Sequence, residues 1–350
     1  MKNSRQDRLF VTFAFNFFDR HQNFKKLALE IGTSSFFITG GSGLFGNWIL
    51  SFLDWALQRK YADPNAIVLS RKKIQSDSPN IRYISGDIKS FDYENVRSTY
   101  TLHMAAPSAS ETFGGIDELE KFLVLSKGTE RLLNYSRQNN DKRTLILSSG
   151  ALYGGFDETR TANISELERL APAFMDDLQG LSIGKRSAEF LTKQFCNKNY
   201  VDASIARCFS FIGPGLPTNL HYAAGNFVAR AIAGESIVIR GNGLPVRSYM
   251  HLGDMVFWIM TILIRGQKGE DYNVGSRQGI SIMDLAYEIK RVLNTKSQII
   301  LRGEPNESVG HPPNYFYVPD TQKAERELGL SCQAELSTSI NDYANYLRAL

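Results

Sequence analysis

The stretch Ser35-Phe36-Phe37-Ile38-Thr39-Gly40-Gly41-Ser42-Gly43-Leu44-Phe45-Gly46 decides the fold. Phe36 to Thr39 is an aromatic and β-branched run, the composition of a buried strand, and it ends in glycines. From Asn47 to Leu57 the large apolar residues recur at helical spacing. The turn between them satisfies two overlapping patterns, G-x-x-G-x-x-G through Gly40, Gly43 and Gly46, and G-x-G-x-x-G through Gly41, Gly43 and Gly46. Alone such a pattern is weak; between a strand and a helix it is a strong sign of a dinucleotide loop. Glycine permits positive φ and lets the backbone approach a pyrophosphate. The charge of that group is favoured by the free N–H groups where the helix begins, at Leu44 and Phe45.

Working outward, strand and helix signals alternate. A turn at Asp63-Pro64-Asn65 leads to a strand over 66–69, and 81–84, 101–105 and 144–148 supply more. Residues 117–138 and 183–197 read as long helices. This predicts an α/β fold, a Rossmann-type doubly wound parallel sheet with a smaller C-terminal α/β lobe. The expected division is a helical extension over 1–33, a dinucleotide-binding domain over 34–206 to which 248–275 returns, and a second lobe over 207–350.

Composition limits what the chain can do. Its 350 residues are 43% hydrophobic and 22% charged, ordinary for a globular protein, and a net charge of +4 without long basic runs does not suggest nucleic acid. Three cysteines, Cys196, Cys208 and Cys332, stand in no metal-ligand spacing, so neither zinc nor a disulfide framework is expected and a cytoplasmic setting fits. Lys2, Arg5 and Arg8 followed by the apolar run from Leu9 to Phe18 resemble a signal peptide, but Asn16 interrupts the run and no small-x-small site follows. The run is too short to span a bilayer, so a helix packed on the next domain is expected and no membrane partner.

The end of the second strand bears on the choice of nicotinamide cofactor. An acidic residue there would accept from a free ribose 2′-hydroxyl, whereas this chain has Ser70-Arg71-Lys72-Lys73. Cations hold a 2′-phosphate, so NADP is favoured, with NAD as the alternative.

Eight stretches follow one another in a telling order: TGGSGLFG at 39–46, GDI at 86–88, HMAAPS at 103–108, SSGALYG at 148–154, GKRSAE at 184–189, RCFSFIGPG at 207–215, RSYMHLGDM at 247–255 and YNVGS at 272–276. Together they resemble the extended short-chain dehydrogenase/reductases of the NAD-dependent epimerase/dehydratase family, which modify nucleotide sugars. The resemblance implies that Asp87 and Ile88 meet the adenine, and that Ala105 and Ala106 let the backbone run beside the cofactor. It implies that Ser149 bonds the reacting sugar oxygen with Tyr153 nearby, and that Lys185 binds the nicotinamide ribose. Asn226 would bind the nucleotide base and Arg247 the diphosphate of a nucleotide-sugar substrate. Family members often form homodimers through a four-helix bundle, here 117–138 and 183–197. His103 lies within a strand pattern and reads as a satisfied core histidine.

One family feature is missing. The pattern Tyr-x-x-x-Lys reads Leu181-Ser182-Ile183-Gly184-Lys185 here, and leucine cannot carry a proton. Loss of a general acid/base is worth about 10²- to 10⁴-fold in rate. Three readings stand open: an enzyme whose proton moves through Tyr153, His221, His251 or a lysine-bound water; a binder of cofactor and nucleotide sugar without turnover; or a sequence altered at that position. The family's 4,6-dehydratases also carry an acidic pair directly after the serine, and here those positions are Gly150 and Ala151. Redox chemistry at the sugar C4 through epimerisation, reduction or decarboxylation is therefore expected above dehydration.

Overall fold

The computed structural model describes residues 5–107, 111–112, 114–156, 159–168, 180–219, 222–303 and 315–350. Two helices come first, α1 (Arg5–Arg20) and α2 (Gln22–Ile31). There follow β1 (Ser35–Thr39), α3 (Leu44–Gln58), β2 (Asn65–Ser70), β3 (Ile81–Ser85), β4 (Tyr100–His103), α4 (Glu118–Asn139) and β5 (Arg143–Ser149). A turn of 3-10 helix (Gly150–Tyr153) precedes α5 (Gly180–Asn197) and β6 (Ala203–Cys208). Next are β7 (Phe211–Ile212), α6 (Ala223–Ile232), β8 (Ile237–Ile239), β9 (Val246–Ser248), β10 (Met250–His251), α7 (Leu252–Arg265) and β11 (Asp271–Val274). The chain ends with β12 (Gly279–Ser281), α8 (Ile282–Val292), β13 (Ile299–Leu301), β14 (Phe316–Tyr317), α9 (Gln322–Leu328) and α10 (Leu336–Ala349).

Seven parallel strands form the central sheet in the order β3-β2-β1-β4-β5-β6-β11. A parallel sheet must be covered on both faces, which is why Phe36, Phe37 and Ile38 of β1 are buried in succession rather than at alternate positions. Phe36 and Ile38 face a core that includes Trp48, Phe52 and Trp258 from α3 and α7. Phe37, between them, faces the opposite core with Leu132 and Leu133 of α4 and Cys196 of α5.

The aromatic opening of the chain is a packing surface. Phe17 and Phe18 of α1 are buried and lie edge-on to Trp48 of α3, while Phe24 of α2 meets Phe52 and Trp55. Each such side chain contributes roughly 1.5–3 kcal/mol by burial. An ion pair of 2.6 Å from Arg20 to Asp342 ties α1 to α10. The second lobe packs α6, α8 and α10 around Phe227, Ile289 and Tyr343, beside a three-stranded sheet β12-β9-β14. Among the described residues no helix is long and apolar enough to cross a membrane.

The connection from β1 runs toward β2 and β3, whereas β4 continues the sheet in the other direction. Between the carboxyl ends of β1 and β4 a crevice opens, the place where such sheets bind ligands.

Candidate active site

His103 anchors that crevice. Thr129 donates its hydroxyl to the carbonyl of Leu125 at 2.6 Å, so it accepts from the His103 Nε2–H at 3.1 Å. Nδ1 is then bare and accepts the Thr39 hydroxyl at 2.7 Å, while the Thr39 oxygen accepts from the Ala105 N–H at 3.3 Å. Burial, with the charge of Lys185 second, lowers the His103 pKa to about 3, so the ring is neutral. The histidine thus pins the ends of β1 and β4 and takes no part in the cavity lining, as its strand pattern implied.

The glycine loop sits on this anchor. Gly40 has φ +74°, and a Cβ there would stand 2.6–2.7 Å from the backbone of Met104 and Ala105. A Cβ on Gly46 would meet the backbone of Gly41 at 2.3 Å. Both glycines are demanded by the packing of loop, helix and strand. Gly43 is different: it lines the cavity, and an added Cβ would meet nothing nearer than the Gly40 carbonyl oxygen at 3.5 Å. The fold itself does not need a glycine there, and the absence of a side chain leaves space against the start of α3. This cradle fits a dinucleotide pyrophosphate.

A cavity of about 1030 Å³ runs from the loop along the sheet end. Gly40, Gly43, Leu44 and Phe45 form one wall. Ser70 and Arg71 at the end of β2, with Asp87 and Ile88 after β3, form the outer end. Ala105 and Ala106 line the floor, and Lys185 closes the inner end beside Leu147 and Ser148. Gly46 does not line it but holds α3 in place. Arg71 is already engaged, with its guanidinium 2.8 Å from the carboxylate of Glu111, and that hydrogen bond holds its pKa up.

Lys185 is buried and donates to the Leu147 carbonyl at 2.6 Å, which ties α5 to the end of β5. Burial lowers its pKa to about 8, against the pull of Cys208 and Glu189. Leu181 lies one turn earlier on the same helix. Ser149 ends β5 and accepts from the Ala151 N–H at 3.2 Å. It lies just past the lining residue Ser148.

Several sequence candidates lie elsewhere. Tyr153 is fully buried, its phenol donating to Asn273 at 3.0 Å and accepting from Arg207 at 2.7 Å. Arg207 is itself held by Glu189 and Asp271, so Tyr153 belongs to a closed polar network beneath the site, out of reach of a sugar. His251 caps α7, accepting from the Gly253 N–H at 2.9 Å while its ring stacks on Phe17. That corrects its candidacy as a proton carrier: the aromatic extension encloses it. His221 lies outside the described residues, as do parts of the loops 107–116, 155–180 and 303–316. Asn226, on the first turn of α6, and Arg247, on β9, belong to the second lobe and do not line the cavity. Arg247 donates to its neighbour's carbonyl, Val246, at 2.9 Å.

Tyr222 and Glu111 also line the cavity and carry no motif that would reveal them. Chain folding alone brings them there.

A doubly wound sheet with a glycine cradle at its switch point, a buried lysine at the inner end and a second lobe alongside defines a dinucleotide-dependent enzyme fold. Residues 36–275 match the family model described as the NAD dependent epimerase/dehydratase family. The chain belongs to that family, and NAD(P) is its cofactor class. It is 27% identical over 271 residues to a trifunctional UDP-glucose 4,6-dehydratase/UDP-4-keto-6-deoxy-D-glucose 3,5-epimerase/UDP-4-keto-L-rhamnose-reductase of Arabidopsis thaliana, covering 72% of this chain but 38% of that protein. The chain thus spans well under half the length of that relative. It is 23% identical over 317 residues to UDP-glucuronic acid decarboxylase 1 of Xenopus tropicalis, covering 89% of this chain and 71% of that protein. Among solved structures, UDP-glucose 4-epimerase of Thermotoga maritima with UDP-glucose is similar with a TM-score of 0.76 at 20% identity, over 90% of this chain and 98% of that one. The dTDP-glucose 4,6-dehydratase of Streptomyces venezuelae, solved with NAD, has a TM-score of 0.73 at 21% identity, over 90% of this chain and 97% of that one.

Proposed function

We propose that the protein is an enzyme that carries out redox chemistry at C4 of a nucleotide sugar. The observation that carries this reading is the placement of Lys185 and the end of β5 at the inner end of a cavity whose other wall is the glycine cradle. A bound nicotinamide supplies hydride transfer; the chain's residues bind, orient and exclude water.

Gly40, Gly43 and the start of α3 hold the pyrophosphate, while Asp87 and Ile88 hold the adenine. Lys185 orients the nicotinamide ribose. Ser149 donates to the sugar oxygen on which charge develops. Asn226 and Arg247 face the nucleotide from the second lobe, as base and diphosphate contacts. Gly150 and Ala151 carry no acid to protonate a leaving C6 hydroxyl, which favours epimerisation, reduction or decarboxylation over 4,6-dehydration. NADP is the preferred cofactor on this reading, with Arg71 leaving Glu111 for the 2′-phosphate, and NAD is the alternative. A cytoplasmic homodimer paired through α4 and α5 completes the proposal.

The test is turnover. Purified protein with NAD or NADP is incubated with UDP-, dTDP-, CDP- and GDP-sugars, and the sugars are read by mass spectrometry. Conversion of at least one sugar supports the reading. Binding of cofactor and sugar without conversion of any would replace the enzyme by a binder.

A further inference from the structure

Tyr317 belongs to the second lobe, yet its phenol reaches the end of β5. It pairs in register with Arg247 of β9, and its ring packs on Phe209 with centroids 4.6 Å apart. The phenol lies beside the Ser149 hydroxyl, which eases its ionisation. Its oxygen stands 2.7 Å from where a Cβ on Gly150 would be. A side chain at Gly150 would therefore expel the phenol. The position after Ser149, where the family's 4,6-dehydratases carry an acid, is a glycine here and admits a tyrosine from the other lobe, while the tyrosine position of the Tyr-x-x-x-Lys pattern holds Leu181.

Resting on the nucleotide-sugar reading above, we infer that Tyr317 does the proton work that Leu181 cannot, acting through the Ser149 hydroxyl. In the reducing direction a C4 ketone takes hydride at carbon from the reduced nicotinamide and a proton at oxygen from Ser149. Tyr317 returns a proton to Ser149, and solvent restores the phenol. In the oxidising direction each transfer reverses: hydride leaves C4, the hydroxyl proton passes to Ser149, and Ser149 passes one to the tyrosinate.

The surroundings suit the task. The Arg247 guanidinium carbon is 5.9 Å from the Tyr317 ring centre and favours the tyrosinate when it forms. Cys208, paired in register with Ser149, lies within the electrostatic reach of both Lys185 and Tyr317, so the lysine and the phenol border the same strand ends. Burial raises the phenol's pKa to about 12, opposed by the neighbouring Ser149 hydroxyl and the Arg247 charge. At neutral pH the residue is thus a proton donor, which suits reduction of a ketone better than oxidation of an alcohol. Tyr317 is a positioning and proton-supplying residue, one step removed from the substrate.

The experiment compares wild type with Tyr317→Phe and with Tyr317→Phe/Leu181→Tyr, using NAD or NADP with UDP-glucose, UDP-glucuronic acid and dTDP-glucose from pH 6 to 9.5. Nicotinamide absorbance and product mass are followed. Tyr317→Phe is expected to lower kcat by about 10²- to 10⁴-fold, with KM little changed. Tyrosine restored at position 181 should recover part of that loss. A Tyr317→Phe protein with wild-type kcat and pH profile overturns the inference and leaves the nucleotide-sugar reading intact. If wild type is silent on every sugar, the broader reading fails and takes this one with it. Should Tyr317→Phe not fold, Gly150→Ala displaces the phenol instead; wild-type rates in that variant overturn the inference, and a matching loss supports it.

Discussion

The ammonium of Lys185 donates to the carbonyl oxygen of Leu147 across 2.6 Å, joining helix α5 to the last residues of β5. A long cationic side chain is thereby drawn into the protein and aimed along the sheet end. Its partner is a neutral carbonyl, so no opposite charge in that bond offsets desolvation, and burial holds the pKa near 8 against Cys208 and Glu189.

This pairing predicts a stability change with pH. The folded-state pKa lies below the ordinary lysine value of 10.5, so between about 8 and 10.5 the unfolded chain binds more protons. Stability from this group therefore rises with pH through that window, and the burial penalty is full below it. Urea unfolding at pH 7.5 and 9.5 should show wild type gaining on the order of 1–2 kcal/mol that Lys185→Met does not gain. Equal gains in both proteins would rule this out.

The glycines of the loop should separate by role. Gly40→Ala forces a Cβ against the Met104 and Ala105 backbone at positive φ, and loses about 1–3 kcal/mol of stability along with cofactor binding. Gly43→Ala meets only ordinary contacts within the protein, so its melting temperature stays near wild type while calorimetric affinity for NAD and NADP falls. A Gly43→Ala protein that binds both cofactors normally would mean the cradle is not the pyrophosphate seat.

Cofactor choice turns on Arg71 and Glu111. A 2′-phosphate must displace Glu111 from the guanidinium, so Glu111→Gln should tighten NADP relative to NAD, and Arg71→Ala should weaken NADP more than NAD. Parallel changes for the two cofactors would show the ion pair to be no more than a surface clasp.

Acid should loosen the anchor at His103. Its folded-state pKa of about 3 lies below the ordinary 6.5, so the unfolded chain takes up the extra proton and stability is lost as pH falls from 6.5 toward 3. His103→Gln should remove part of that slope and lower stability at pH 7 by about 1–3 kcal/mol, through the buried Thr39 and Thr129 hydroxyls left short of a partner. Denaturation curves at pH 7 and 5 measure both effects.

Local chemistry was legible before any coordinates. The run Phe36 to Thr39 forms β1 and the glycines open α3, because strand propensity and positive φ are properties of the residues themselves. The doubly wound sheet follows from the alternation of such segments, since consecutive parallel strands require a crossover between them. Candidates that follow a strand end in sequence, such as Asp87 and Ala105, and Lys185 within a helix line the cavity because the strand or helix carries them there.

What only the tertiary structure decided concerns groups brought together from distant parts of the chain. Tyr153 stands four residues after Ser149, but the 3-10 turn directs it into the Arg207 network, while Tyr317 arrives at Ser149 from the far end of the chain. His251 lies in a family stretch, yet Phe17 of the N-terminal extension covers it. Sequence spacing governs contacts within one strand or helix; between elements, packing chooses the partner, and only the folded chain records that choice.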